Sequence, residues 1–267
     1  MSKTLAAQLQ LIKQQQRLGL MTHVVLGYPS LAESKDKILR MIAAGVDCIE
    51  MQIPFSDPIA DGPVITVANQ AALQQGVTVE QCFTLAAELI TQSPIPLQFI
   101  GYYNTVYRYG VEQFINRCQR IGIAGLTFPD LPIVEAAYEP MYTLAKAAGI
   151  PMIQLVSPVS TPKRLTDIAK TADTMVYGVA RFGITGAGPS ASAQLTQRCF
   201  TRQRLTQYLQ TVRQYVTLPL AVGFGLRQPV DIIQLRGLAD LAVIGSALQP
   251  LSGQVLSNYL DELCASR

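Results

Sequence analysis

Two carboxylates, Glu50 and Asp61, bracket the stretch of this chain best suited to moving protons: Glu50-Met51-Gln52-Ile53 followed by the turn Pro54-Phe55-Ser56-Asp57-Pro58-Ile59-Ala60-Asp61-Gly62-Pro63. Read as a strand, this stretch places Cys48, Glu50 and Gln52 on one face and Ile49, Met51 and Ile53 on the other. The apolar set suits packing against outer helices, which turns Glu50 inward. An acid among inward-facing apolar residues is costly to bury charged, and burial moves a carboxyl pKa toward the range where it both gives and takes protons. The plainer alternative is a buried glutamate tied to an amide or a lysine. Asp57, ahead of Pro58, reads equally well as a turn residue or a functional one. Asp61 could cap a short helix that Pro63 opens and that runs from Val64 to Leu73. As a second carboxylate above the site, it suits a reaction that creates positive charge.

The rest of the inventory narrows who else could act. The chain of 267 residues holds one histidine, His23, which argues against a His-dependent triad or a multi-histidine metal site, so no metal is expected. Its net charge of +3, with Lys and Arg dispersed, gives no footprint for nucleic acid or a membrane surface and leaves a small molecule as the expected ligand. A hydrophobic content of 49% against 15% charged residues excludes a disordered chain. Five widely spaced cysteines without a C-x-x-C pair read as reduced, packed thiols. With no apolar leader segment or spanning stretch, a cytoplasmic location is expected.

The elements that must position Glu50 and Asp61 follow a repeated grammar. Short apolar runs alternate with segments of helical period, as in βα units around a parallel sheet. The expected strands are Leu20 to Leu26, Asp47 to Ile53, Pro96 to Ile100, Gly125 to Phe128, Pro151 to Val156, Thr174 to Val179, Leu218 to Val222 and Leu241 to Ile244. Each precedes a helical stretch, among them Glu33 to Ala44, Val79 to Thr91, Val111 to Ile121 and Val134 to Ala148. Eight units in one chain of this length predict an α/β fold, a single-domain (β/α)8 TIM barrel over residues 1–267, with an extra N-terminal helix. A doubly wound sheet is disfavoured, because no G-x-G-x-x-G follows the first strand. Sites in such barrels lie at the C-terminal strand ends. Glycines at Gly223-Phe224-Gly225, at Gly245-Ser246 and in Arg181-Phe182-Gly183-Ile184-Thr185-Gly186-Ala187-Gly188 let backbone N–H groups approach an anion. A short helix N-terminus expected after strand eight adds a favourable dipole, so phosphate binding is predicted in this corner.

These segments resemble the α subunit of tryptophan synthase. Glu50 with Pro54-to-Pro63 is the most specific match, and Tyr102-Tyr103-Asn104, Pro129-Asp130-Leu131-Pro132, Gly183-Ile184-Thr185-Gly186, Gly223-Phe224-Gly225 and Gly245-Ser246 follow in family order. The likeness runs from Leu26-Gly27-Tyr28-Pro29 to the last helix. It implies cleavage of indole-3-glycerol phosphate to indole and glyceraldehyde 3-phosphate, with indole passed to a β subunit in an α2β2 assembly. It also implies no cofactor in this chain, pyridoxal phosphate belonging to the β partner. By the same resemblance Glu50 is the general acid–base, and Asp61 stabilises the cation at the ring nitrogen. Tyr102, Tyr177 and Thr185 contact substrate, Gly186, Gly225, Gly245 and Ser246 hold its phosphate, and Pro54, Asp57 and Asn104 face the β subunit.

Three positions depart from the family pattern: Gln52 stands where glycine is usual, His23 replaces an apolar or aromatic residue, and Gly101 replaces a bulkier one. Gln52 shares the face of Glu50 and is expected to contact or crowd it. His23 reads either as a hydrogen-bonded core residue or as a pocket wall filling volume lost at Gly101. The rival functional reading is a catalytically weakened α-type subunit kept mainly as an allosteric activator of its β partner.

Overall fold

Eight parallel strands follow one another in chain order and close on themselves in the computed structural model, the eighth pairing with the first. The structure describes residues 4–131, 133, 138–179, 202–223 and 225–267. The strands are β1 (Gly19–Val25), β2 (Cys48–Gln52), β3 (Leu97–Ile100), β4 (Leu126–Thr127), β5 (Met152–Val156), β6 (Val176–Val179), β7 (Leu220–Gly223) and β8 (Leu241–Ile244). All eight expected strands are present, with ends displaced by at most two residues. The described helices are α1 (Leu5–Gln14), α2 (Leu31–Ala43), α3 (Pro63–Gln74), α4 (Val79–Gln92), α5 (Tyr103–Tyr109), α6 (Val111–Ile121), α7 (Pro140–Ala147), α8 (Pro162–Thr171), α9 (Arg202–Arg213), α10 (Pro229–Leu235) and α11 (Gly253–Ala265). The fold is therefore a (β/α)8 barrel with an extra N-terminal helix. None of the described helices is long and apolar enough to cross a membrane.

Local chemistry explains most of these boundaries. Helix α4 opens at a capping box: the Thr78 hydroxyl accepts the Gln81 N–H at 3.3 Å, and the Gln81 side chain accepts the Thr78 N–H at 2.9 Å. Helix α3 opens with Pro63 at its first turn, and its N-cap is Gly62. Asp61 thus lies one residue outside the cap, which corrects the capping role considered for it and leaves its carboxylate for other partners. The expected helix from Val134 begins, within the described residues, only at Pro140.

Strand alternation separates two apolar layers rather than core from water, since every residue of β2 is buried. Ile49, Met51 and Ile53 belong to the outer layer with Phe83, Phe99 and Phe114. Cys48 belongs to the inner one with Met21, Ile153, Tyr177 and Val243. Leu5, Leu9 and Ile12, spaced to share one face of α1, join that inner layer. They stop the N-terminal end of the barrel with apolar side chains and leave the opposite end for chemistry.

Asp47 clamps this floor. Its carboxylate, 3% exposed, pairs with Arg17 at 2.5 Å and Arg267 at 3.0 Å. It also accepts the Leu20 N–H at 2.9 Å and the Gln8 amide at 3.0 Å. Asp47→Ala leaves a buried N–H unpaired and two guanidinium groups without their anion, a loss of about 2 kcal/mol. The expected result is a Tm lower by roughly 4–8 °C in a thermal melt, given ~2–4 °C per kcal/mol for chains of about this size; an unchanged Tm contradicts the clamp.

Candidate active site

Parallel register sets the polar belt inside the barrel. His23 on β1 lies beside Glu50 on β2, and Glu50 lies beside Gln98 on β3. Glu50 is fully buried and points inward, as its strand parity predicts. One carboxylate oxygen accepts from Gln98 Nε2 at 3.1 Å and from Thr127 Oγ1 at 3.3 Å. The other lies 3.2 Å from His23 Nδ1. Strands β1, β3 and β4 thus each contribute one partner, which fixes the carboxyl group without a lysine or arginine among these contacts.

The second carboxylate hangs over this belt from the loop after β2. Asp61 Oδ2 accepts from Gln52 Nε2 at 2.7 Å and, more weakly, from Asn69 Nδ2 at 3.5 Å. The loop is pinned at several points. Asn69 Oδ1 accepts the Phe55 N–H at 3.0 Å, Tyr102 Oη accepts the Ala60 N–H at 3.0 Å, and the Phe55 and Tyr102 rings stack with centroids 5.1 Å apart. Burial pushes the Asp61 carboxyl above its ordinary value. The Gln52 amide, the nearness of His23 and a hydrogen bond from Tyr102 pull it back, while the charge of Glu50 adds to the rise.

Tyr177 completes the inner wall. Burial first, then the charges of Glu50 and Asp61, hold its hydroxyl well above the usual phenol range, so it stays protonated near both carboxylates. Its ring occupies space that only a glycine opposite leaves open: a Cβ at Gly223 would lie 2.8 Å from Tyr177 Cε2 and 2.9 Å from Cζ. Gly245 plays the same part toward His23, whose Cβ and Cγ would lie 3.2 and 3.3 Å from an added Cβ.

The departures from the family pattern resolve unevenly. The Gln52 amide nitrogen is directed at Asp61 rather than Glu50, which corrects the expected contact: the loop brings Asp61 back over the end of β2. His23 is buried and hydrogen-bonded, and its partner is Glu50 itself. Gly101 does not face His23; a Cβ there would meet Ile53 and Phe128, each at 3.8 Å.

Among the remaining expected residues, Tyr102 is buried, Gly245 and Ser246 are half-buried, and Gly225 is exposed with φ +85°. The segment after β8 is a run of turns over residues 246–250, not a helix, so the expected helix dipole is absent there. Thr185 and Gly186 lie outside the described residues, as do Phe224 and the remainder of 180–201. Of the three residues expected toward a partner, Asp57 and Asn104 are exposed, whereas Pro54 is buried. Among the described residues no group of three or more His, Cys, Asp or Glu side chains is arranged to hold a metal ion.

Sequence reasoning passed over Gln98, Thr127 and Asn69. The signal for the first two was parity, each being a lone polar residue within an apolar strand. Asn69 shares the buried face of α3 with Ile65, Ala68 and Ala72, where a side-chain amide needs partners.

A closed parallel barrel with a buried glutamate in its wall and an aspartate on the loop above defines a barrel enzyme equipped for acid–base chemistry at its C-terminal mouth. A family model described as tryptophan synthase alpha chain matches residues 9–256. The tryptophan synthase alpha chain of Desulfotalea psychrophila is 43% identical over 234 residues, covering 88% of this chain and 87% of its own. That of Desulforapulum autotrophicum is 41% identical over 236 residues, covering 88% of each chain. A solved chain of Mycobacterium tuberculosis tryptophan synthase superposes with a TM-score of 0.87 at 28% identity, covering 100% of this chain and 98% of that one. The chain belongs to the tryptophan synthase alpha family, lyases that cleave indole-3-glycerol phosphate in tryptophan biosynthesis.

Proposed function

We propose that Glu50 and Asp61 divide the work of cleaving indole-3-glycerol phosphate between them. The observation that supports this reading is their arrangement: a buried carboxyl group in the barrel wall and a half-buried one on the loop above it, each with its own hydrogen-bond donors. Glu50 delivers a proton to indole C3, which makes the ring an indoleninium cation. Asp61 holds the charge that appears at the ring nitrogen. Loss of the side-chain hydroxyl proton then forms the aldehyde, and the carbon–carbon bonding pair returns to the ring. A positioned acid–base contributes about 10²–10⁴-fold, and orientation and electrostatics supply the remainder.

Tyr102 and Tyr177 flank the indole ring in this reading, and backbone groups around Gly225, Gly245 and Ser246 receive the phosphate. Asp57 and Asn104 meet a β subunit that carries pyridoxal phosphate and takes up the indole, in an α2β2 assembly in the cytoplasm. The test is indole release by the purified chain from indole-3-glycerol phosphate, alone and with a β subunit. Turnover in both conditions is expected, faster with the partner; no indole in either overturns the reading.

Gln52 supplies a narrower check. Its amide lowers the Asp61 pKa, so Gln52→Met, close in shape but without the donor, moves that pKa further up. The acidic limb of the kcat/KM profile is expected at higher pH in the variant, and superimposable profiles would remove Gln52 from the account.

A further inference from the structure

We propose that His23 is a further catalytic residue, one that touches the side-chain hydroxyl of the substrate and returns its proton to Glu50. The inference rests on the reaction proposed above. Barrel closure places β1 between β2 and β8, so His23 stands between Glu50 and the strand-eight turn that begins at Gly245. The ring has two close neighbours: Nδ1 lies 3.2 Å from Glu50, and an added Cβ at Gly245 would meet Cγ at 3.3 Å and Cδ2 at 3.5 Å. The backbone is fixed as well. Gln249 Nε2 donates to the His23 carbonyl at 3.0 Å, and the buried Lys37 ammonium donates to the Gln249 carbonyl at 2.5 Å.

Two buried side-chain atoms of this assembly have no hydrogen-bond partner among the described residues, Gln249 Oε1 and His23 Nε2, and of the two only the imidazole nitrogen can take up a proton. His23 is 7% exposed. A buried polar atom without a partner calls for a ligand or a water. The substrate has a ring at one end and a phosphate at the other. With the ring between Glu50 and Asp61 and the phosphate at Gly245, its hydroxylated side chain passes beside His23, where Nε2 meets a hydroxyl group.

The proton count closes. Glu50, protonated, gives its proton to C3 and becomes a carboxylate held by Nδ1–H. Nε2 takes the proton of the hydroxyl on the carbon attached to the ring; the O–H pair becomes the aldehyde C=O, the carbon–carbon pair flows into the ring and the nitrogen is discharged. Nδ1 then hands its proton to Glu50, restoring the acid, and the imidazole regains its first tautomer by exchange with solvent as the products leave.

His23→Gln and His23→Gly in the full chain test this. Gln retains an amide for Glu50 but takes no proton; Gly leaves room for added imidazole. The expected results are a Tm for His23→Gln close to the parent, kcat at least tenfold lower in both variants with KM changed less than threefold, and recovery of His23→Gly with imidazole in proportion to its unprotonated form. Parental kcat in His23→Gln overturns the proposal, since His23 then only positions Glu50; so does a His23→Gly loss that imidazole fails to restore while the variant melts cooperatively. The parent chain and Glu50→Gln are assayed alongside. A parent without turnover overturns the functional reading and this proposal together, whereas an active parent with unaffected His23 variants overturns this proposal alone.

Discussion

Glu50→Gln lowers kcat for indole release by about 10²–10⁴-fold while leaving the barrel intact. The magnitude is that of losing a positioned acid–base, equivalent to roughly 3–5 kcal/mol of barrier. Structural integrity follows from the hydrogen bonds. The carbonyl oxygen of glutamine still accepts from Gln98 and Thr127, and its amide meets His23 Nδ1 once the imidazole presents a bare nitrogen there. No buried donor is abandoned, so Tm is expected to stay within a few degrees. A variant turning over within threefold of the parent, with an unchanged melt, would show that another group protonates the ring.

Asp61→Asn has two effects of opposite sign. Without the carboxylate, the cation at the ring nitrogen loses its counter-charge, and kcat falls by about 10²–10³-fold, the size seen when one preorganised electrostatic group is removed. Stability moves the other way. Burial raises the Asp61 pKa in the folded chain above its ordinary value. The folded state therefore binds this proton more tightly than the unfolded state. The stabilisation is full below the ordinary carboxyl pKa and is lost as pH rises through the folded value. At neutral pH the ionised carboxylate weakens the fold, and a neutral asparagine that still accepts from Gln52 is expected to melt higher than the parent. Below the ordinary carboxyl range the two proteins converge. Melts at several pH values together with indole release check both halves, and a lower Tm for Asp61→Asn at neutral pH would refute the burial argument. The same raised pKa sets the acidic limb of kcat/KM above the usual carboxylate range.

Much of this site was legible because strand parity is a strict rule. Alternation along β2 was enough to turn Glu50 inward, and Pro63 was enough to open α3 and leave Asp61 on the loop before it. What parity does not carry is register between strands distant in sequence. That Gln98 and His23 lie level with Glu50 depends on how β1, β2 and β3 slide against one another, which local periodicity does not encode. Gln52 illustrates the same limit: its facing was right, but its partner depends on a loop that folds back over the strand end. Helix α5 escaped for a different reason, since the aromatic-rich run Tyr103–Tyr109 has too few turns to display an apolar period. Its start is held instead by a residue from another loop, Asp130, whose carboxylate oxygens both accept the Tyr103 N–H at 2.9 Å.

Closure of β8 against β1 also dictates when the protein becomes competent. The Gln249 side chain reaches the His23 backbone across 226 positions of sequence, and Arg267 reaches Asp47 across 220. Contacts of such separation bear the full cost of loop closure before they return any stability, which slows folding. During synthesis from the N-terminus His23, Glu50 and Asp61 emerge early, whereas the strand and turn that flank His23 across the barrel closure emerge long after them. A nascent chain not yet extended through β8 therefore carries each of these acids and bases and no assembled site, so activity is withheld until β8 has been added.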